Sequence, residues 1–167
     1  MEEWKEITDY PNYEISNLGN VKNKKTNKIL KSQINLHGYY QIRLFKNKKV
    51  KTFTLHKLLS IIFIPNPNNF LEIDHKDKNA LNNSLDNLRW VSHSQNNYNR
   101  NMKTQNSTSK FRGVSWDKKI KKWRVAIYLN QKKTFLGYFE IEEEGAKAFN
   151  EFVISHNLQE FVDLNII

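Results

Sequence analysis

The chain has no cysteine among its 167 residues. That excludes disulfides and any zinc centre built on thiolates. It also has no apolar run able to cross a bilayer. The longest, near Leu58 to Ile64, falls far short of the ~20 residues that a spanning helix needs. The opening residues Met-Glu-Glu-Trp-Lys do not show the pattern of a secretory leader, so an intracellular protein is the expectation. Acidic residues are scarce: 17 against 27 Lys and Arg, for a formal net charge of +10. Such an excess favours a polyanionic partner, nucleic acid or an acidic membrane surface. Aromatics, at 13%, suffice for genuine cores. The length allows one ordinary domain or two small ones.

Chemistry concentrates between Leu71 and Arg100. Leu71 to Ile73 reads as a short strand that delivers Asp74 and His75 to its end. Lys76 to Asp86 is rich in turn formers and predicts a polar loop. Leu88 to Val91 is a second short strand. Ser92 is placed to cap a following helix, with Gln95 three residues on; that helix carries Gln95, Asn96 and Asn99. A carboxylate suits a hydrated divalent cation, and an imidazole beside it is the usual general base near neutral pH. A side-chain amide such as Asn96 offers a further oxygen. Taken alone, the Asp-His pair also fits an ordinary exposed loop.

The whole ordered run resembles the HNH nuclease motif, in the variant of phage and intron-encoded homing endonucleases. Asp74-His75-Lys76-Asp77, Asn82-Asn83, Asn87-Leu88-Arg89-Trp90-Val91 and Asn96 carry the likeness. Leu55-His56-Lys57-Leu58-Leu59 and Phe63-Ile64-Pro65-Asn66-Pro67 extend it upstream. The resemblance implies that His75 is the general base and that Asp74 and Asn96 hold a metal. It implies that Asn87 braces the loop and orients the base. Mg²⁺ is the implied ion, with Mn²⁺ as a substitute, because the ligands are oxygens.

Upstream, Trp4, Tyr13, Ser16, Asn17, Gly19 and Val21 resemble the NUMOD-four motif that precedes such nucleases. Trp4, Tyr13 and Ile15 are expected to form a small core. The basic, turn-rich stretch from Lys22 to Lys31 is expected along phosphates. Tyr39 to Phe45 and Val50 to Leu55 predict a hairpin around a basic tip, with Arg43 and Lys48 as DNA contacts. A two-stranded ribbon of this kind fits the major groove. Apolar residues at 55, 58, 59, 62 and 63 predict a helix with one buried face, ended by Pro65 and Pro67. His56 on that helix is read as a packing or phosphate-facing residue. Arg89 and Arg100 are further candidates for DNA contact.

Asn97 to Lys110 is nearly devoid of apolar residues and reads as a linker. Beyond it the periodicity changes. Phe111 to Trp116 predicts a strand. Trp123, Val125, Ile127 and Leu129 alternate with Arg124, Ala126 and Tyr128 in a second strand. Lys132 to Phe139 predicts a third. Glu142 to Glu144 then open a helix striped by Ala146, Phe149 and Val153.

This segment resembles the APETALA-type (AP/ERF) DNA-binding domain. Phe111-Arg112-Gly113-Val114, Lys122-Trp123, Ala126-Ile127, Leu136-Gly137-Tyr138-Phe139 and Glu143-Glu144-Gly145-Ala146 carry the likeness. The resemblance implies an exposed sheet face laid on DNA. Arg112, Trp116, Arg124, Tyr128, Lys133 and Phe135 are then its contacts. For Trp116 and Phe135, membership of the core is the alternative. Ser115 and Tyr128 stand where plant members often have Arg, so the plant sequence preference does not transfer.

The expected fold class is α+β. A ββα-metal module over residues 55–101 follows N-terminal β elements over 1–54. A linker spans 102–110, and a three-stranded antiparallel sheet on one helix spans 111–167. The expected function is a metal-dependent HNH homing-type endonuclease acting on double-stranded DNA, as a monomer or homodimer. Its expected setting is the cytoplasm of a bacterial host or of a virus-infected cell. The alternative is a sequence-specific DNA-binding regulator with an inactive nuclease module.

Overall fold

The structure is a computed structural model and describes residues 1–99, 107–129 and 132–167. The chain divides into two compact units, Met1–Ser92 and His93–Ile167, each with its own core. The fold class is α+β, with small antiparallel sheets and three helices among the described residues. No helix of the described residues is long and apolar enough to cross a membrane.

In the first unit, β1 (Trp4–Ile7), β2 (Tyr10–Ser16) and β3 (Val21–Asn23) form one antiparallel sheet. Ser16 is buried, and its Oγ accepts bonds from the backbone N–H of Leu18 and Asn20, closing the β2–β3 turn. Tyr13 and Ile15 enter the core as expected. Trp4 remains half-buried at the sheet edge, where Lys22 Nζ stands 4.1 Å from its ring centroid.

A second sheet holds β4 (Gln33–Ile34), β5 (Tyr40–Lys46) and β6 (Lys49–Thr54). The β5–β6 hairpin turns through Asn47 and Lys48, both at positive φ. That is the two-residue geometry whose twist suits a hairpin. Ile42 and Leu44 point into the core, while Arg43 and Phe45 point out.

Both sheets meet α1 (Leu55–Phe63), the centre of this unit. Leu55, Leu58 and Leu59 are buried, as the helical spacing requires. Each such side chain contributes about 1.5–3 kcal/mol relative to exposure. The helix ends where Ile64 turns extended ahead of Pro65. Trp90 Nε1 donates to Ile64 O at 3.1 Å, tying this end to the strand that carries Trp90. That strand is β8 (Leu88–Val91), and it pairs antiparallel with β7 (Glu72–His75). A 3₁₀ turn over Leu85–Asn87, not foreseen from sequence, leads into β8.

In the second unit, α2 (His93–Asn99) comes first. The sheet follows: β9 (Val114–Asp117), β10 (Lys122–Leu129) and β11 (Lys132–Phe139), in the order β11-β10-β9. Then α3 (Glu142–Ser155) packs Ala146, Phe149 and Val153 on Val114, Val125 and Ile127. The acids Glu142 to Glu144 occupy the first turn of α3, where they complement the helix dipole.

Gly113 makes the last close approach possible. Its φ is +76°, and a Cβ there would fall 2.3 Å from the Phe149 ring. The strand expected from Phe111 therefore begins only at Val114, after a turn. The compact units divide after Ser92, not at the boundary expected after residue 101. Most of the expected linker, and residues 130–131 between the second and third expected strands, lie outside the described residues.

Candidate functional site

The end of β7 gathers the polar groups of the first unit. Antiparallel register sets Asp74 opposite Arg89 and His75 opposite Leu88. Asp74 and His75 are both 7% exposed and Asn87 is 9% exposed. Buried polar side chains of this kind are held by hydrogen bonds.

The loop after His75 is organised by amides. Asn87 Nδ2 donates to Asp77 Oδ1 at 2.9 Å and to Asn82 O at 2.8 Å. Its Oδ1 accepts the Asp77 backbone N–H at 3.0 Å. Asn82 Nδ2 donates to Asp77 Oδ2 at 2.7 Å, and the Asn79 N–H to Asp77 Oδ1 at 2.8 Å. The Asn82 side chain, first among these donors, holds the Asp77 carboxyl below its usual range. The stretch of turn formers thus folds into a ring of short bonds centred on Asn87 and Asp77.

This loop carries Asn83 back to His75. Asn83 Oδ1 lies 3.1 Å from His75 Nε2. In the tautomer that carries its proton on Nε2, His75 donates this bond to the Asn83 amide oxygen. On its other side His75 meets His56 of α1, with ring centroids 5.2 Å apart. Tyr39 stands 4.9 Å from His56 and 6.0 Å from His75. Burial, foremost, pushes His56 down to about 4, with His75 and Lys57 adding to the shift. His56 is therefore neutral at physiological pH.

Asp74 is engaged by Arg89. Nε donates to Oδ2 at 2.8 Å, and Nη2 lies 2.7 Å from the same oxygen. This corrects the expectation that Arg89 points toward DNA: its side chain is only 14% exposed and turned to Asp74. Antiparallel pairing of β7 with β8 is the cause, since it places the two residues side by side.

The described residues contain no cluster of three or more His, Cys, Asp or Glu side chains able to hold a metal. The first unit instead offers one buried carboxylate and nearby amide oxygens. Such a donor set fits a divalent cation that keeps most of its waters. Asn96 stands on α2, half-buried, and is described with the second unit.

Of the expected DNA contacts, Arg43 is exposed on β5, and Lys48 is exposed at the hairpin turn. Arg100 lies outside the described residues. In the second unit, Arg124, Tyr128, Lys133 and Phe135 share the sheet face turned away from α3. The Arg124 guanidinium is 5.8 Å from the Phe135 ring centroid, and Lys133 Nζ is 5.8 Å from that of Tyr128. Tyr128 and Phe135 are 54% and 49% exposed, so Phe135 is not a core residue. Tyr138 joins them, tilted on Phe135 at 5.0 Å, an aromatic outside the expected contacts. A cleft of about 770 Å³, lined in part by Arg112, Arg124, Tyr128 and Lys133, opens on this face.

Two further expectations require correction. Trp116 pairs across strands with Trp123, 5.1 Å away and edge-on, and so belongs to the α3 side of the sheet. Arg112 lies in the turn before β9. Its guanidinium donates to Tyr98 O and lies 3.9 Å from Asp163. Its backbone N–H and C=O pair with the Asn165 side chain. Arg112 thus fastens segments within its own unit.

Comparison with known proteins agrees with the first unit's geometry. Residues 2–45 match the NUMOD4 motif, and residues 64–98 match the HNH endonuclease family. The chain is 48% identical over 90 residues to the DNA endonuclease I-HmuI of Bacillus phage SP01, covering 53% of this chain and 52% of that one. It is 41% identical over 90 residues to the H-N-H endonuclease F-TflII of Escherichia phage T5, covering 53% of this chain and 47% of that protein. The solved structure of the HNH homing endonuclease I-HmuI, described for DNA binding and cleavage, matches with a TM-score of 0.51 at 47% identity. That match covers 54% of this chain and 52% of the solved one. The chain spans about half the length of these relatives.

Proposed function

We propose that this chain is a metal-dependent DNA endonuclease of the HNH homing type, hydrolysing a phosphodiester bond in a duplex that it binds at a preferred site. The single observation that carries the reading is the held imidazole. His75 is buried, bonded at Nε2 by Asn83, and directly follows the buried Asp74 on β7. With Nε2 protonated, Nδ1 is the atom that takes a proton from an attacking water. Asn83 and the loop ring around Asn87 hold the imidazole in that orientation. Neutral His56 adds no positive charge against it.

Asp74 is the carboxylate ligand in this reading, and the resemblance adds Asn96 as a second oxygen donor. With a divalent cation held there, the charge building on the phosphate during in-line attack would be neutralised. The formal charge of +10 draws the duplex in. Arg43 and Lys48 on the first hairpin lie along its backbone or groove.

The second unit is proposed as the site reader, on its sequence likeness to AP/ERF domains and its open sheet face. Arg124 and Lys133 supply charge there, and Tyr128, Phe135 and Tyr138 supply flat apolar contact. Incubation of the whole chain with supercoiled plasmid, with and without Mg²⁺, tests the reading. Nicked or linear product is expected only with the cation, and an inert, folded protein in Mg²⁺ or Mn²⁺ refutes it.

A further inference from the structure

Arg89 and Asp74 face one another across the β7–β8 pair. Both side chains are enclosed, 14% and 8% exposed. A guanidinium that only partners a carboxylate commonly spreads two nitrogens over two oxygens. Here Nε and Nη2 converge on one oxygen, Oδ2, at 2.8 and 2.7 Å. The carboxylate that the nuclease reading assigns to the cation is therefore already paired with a fixed positive charge.

We propose that Arg89 sets the protein's affinity for divalent cations in the absence of DNA, its guanidinium on Oδ2 of Asp74 opposing cation binding at that carboxylate. The inference rests on Asp74 being a metal ligand. Two effects act with the same sign. A dication at Asp74 is repelled by a guanidinium one carboxylate away, in a setting where water screens poorly. The metal-free state is also stabilised by the ion pair, because a buried carboxylate without a counter-charge is costly. Replacing Arg89 by a neutral side chain removes the repulsion and raises the energy of the metal-free state alone. Both changes tighten cation binding. Lysine keeps the charge but loses the fork, so it preserves the opposition. The consequence is a centre that loads weakly until a phosphodiester offsets the guanidinium's charge.

The test is a Mn²⁺ titration of the whole, DNA-free chain, followed by the electron paramagnetic resonance signal of free Mn²⁺ at constant, mildly alkaline pH. Circular dichroism establishes that each variant is folded. Arg89→Leu and Arg89→Gln are expected to bind Mn²⁺ about tenfold more tightly than wild type, or more. Arg89→Lys is expected to stay within about threefold of wild type. The two neutral variants differ in polarity, so one serves if the other does not fold. Unchanged or weaker binding by the neutral variants overturns the proposal. Asp74→Ala separates the two layers of inference. If it binds Mn²⁺ as wild type does, the cation is not on Asp74, and the nuclease reading fails there together with this one. If it abolishes binding while the neutral Arg89 variants fail to tighten it, the role of Arg89 alone is rejected.

Discussion

The imidazole of His56 meets that of His75 at 76°, with ring centroids 5.2 Å apart. Burial lowers His56 from 6.5 to about 4. Between those values the unfolded chain binds a proton that the folded chain refuses. The stability due to neutral His56 is thus complete above pH 6.5 and falls as pH drops toward about 4. We expect His56→Phe, which keeps a flat ring, to flatten that part of the stability curve. Urea midpoints at several pH values across the window measure it, and an unchanged slope in the variant counts against the assignment.

Asn87 makes three bonds that close the loop after β7. Asn87→Ala removes the donor to the half-buried Asn82 carbonyl, a loss of about 0.5–1.5 kcal/mol for an ordinary hydrogen bond. We expect the urea midpoint to fall accordingly. Cleavage is expected to fall further than stability accounts for, because Asn83 is no longer held against His75. Full activity in a destabilised Asn87→Ala would show that the loop does not orient the base.

Gly113 adopts a φ of +76°, and a Cβ there meets Phe149 at 2.3 Å and Ala126 O at 2.9 Å. Gly113→Ala adds left-handed strain of about 1–2 kcal/mol to an overpacking cost of about 1–3 kcal/mol. Thermal denaturation is expected to show a marked loss. A variant as stable as wild type would mean that α3 and the sheet can separate at little cost.

Arg124 lies on the sheet face away from α3, over Phe135. If it pairs with guanine, it discriminates by about 1–3 kcal/mol. Arg124→Ala should then weaken binding to a selected site more than to random duplex. A phosphate contact weakens both alike and lowers the salt slope by about one unit. Competition binding at two salt concentrations decides, and equal losses reject base reading. Trp116→Ala, on the opposite face against Trp123, is expected to lower stability and leave the preference unchanged.

Local periodicity made much of the fold legible. The stripe from Leu55 to Phe63 and the prolines after it located α1, and the alternation from Trp123 to Leu129 identified the buried face of β10. Asp74 and His75 were legible as neighbours at a strand end. What escaped depends on register and on distant packing. Arg89 reaches Asp74 only because β7 and β8 pair in one particular register, across a long loop. His56 reaches His75 only once α1 lies against β7. Trp116 entered the expected contacts through family likeness, and the alternative, the core side, follows only from its cross-strand register with Trp123.

The central claim, that His75 is the base of a metal-dependent phosphodiester hydrolase, is tested most directly on supercoiled plasmid. Wild type and His75→Ala are compared in Mg²⁺, with band-shift affinity measured in parallel. We expect wild type to nick or linearise the plasmid and to stop when the cation is chelated. His75→Ala is expected to bind DNA nearly as well and to lose cleavage by a factor of about 10²–10⁴, the usual contribution of a general base. Cleavage by His75→Ala at the wild-type rate would contradict the account.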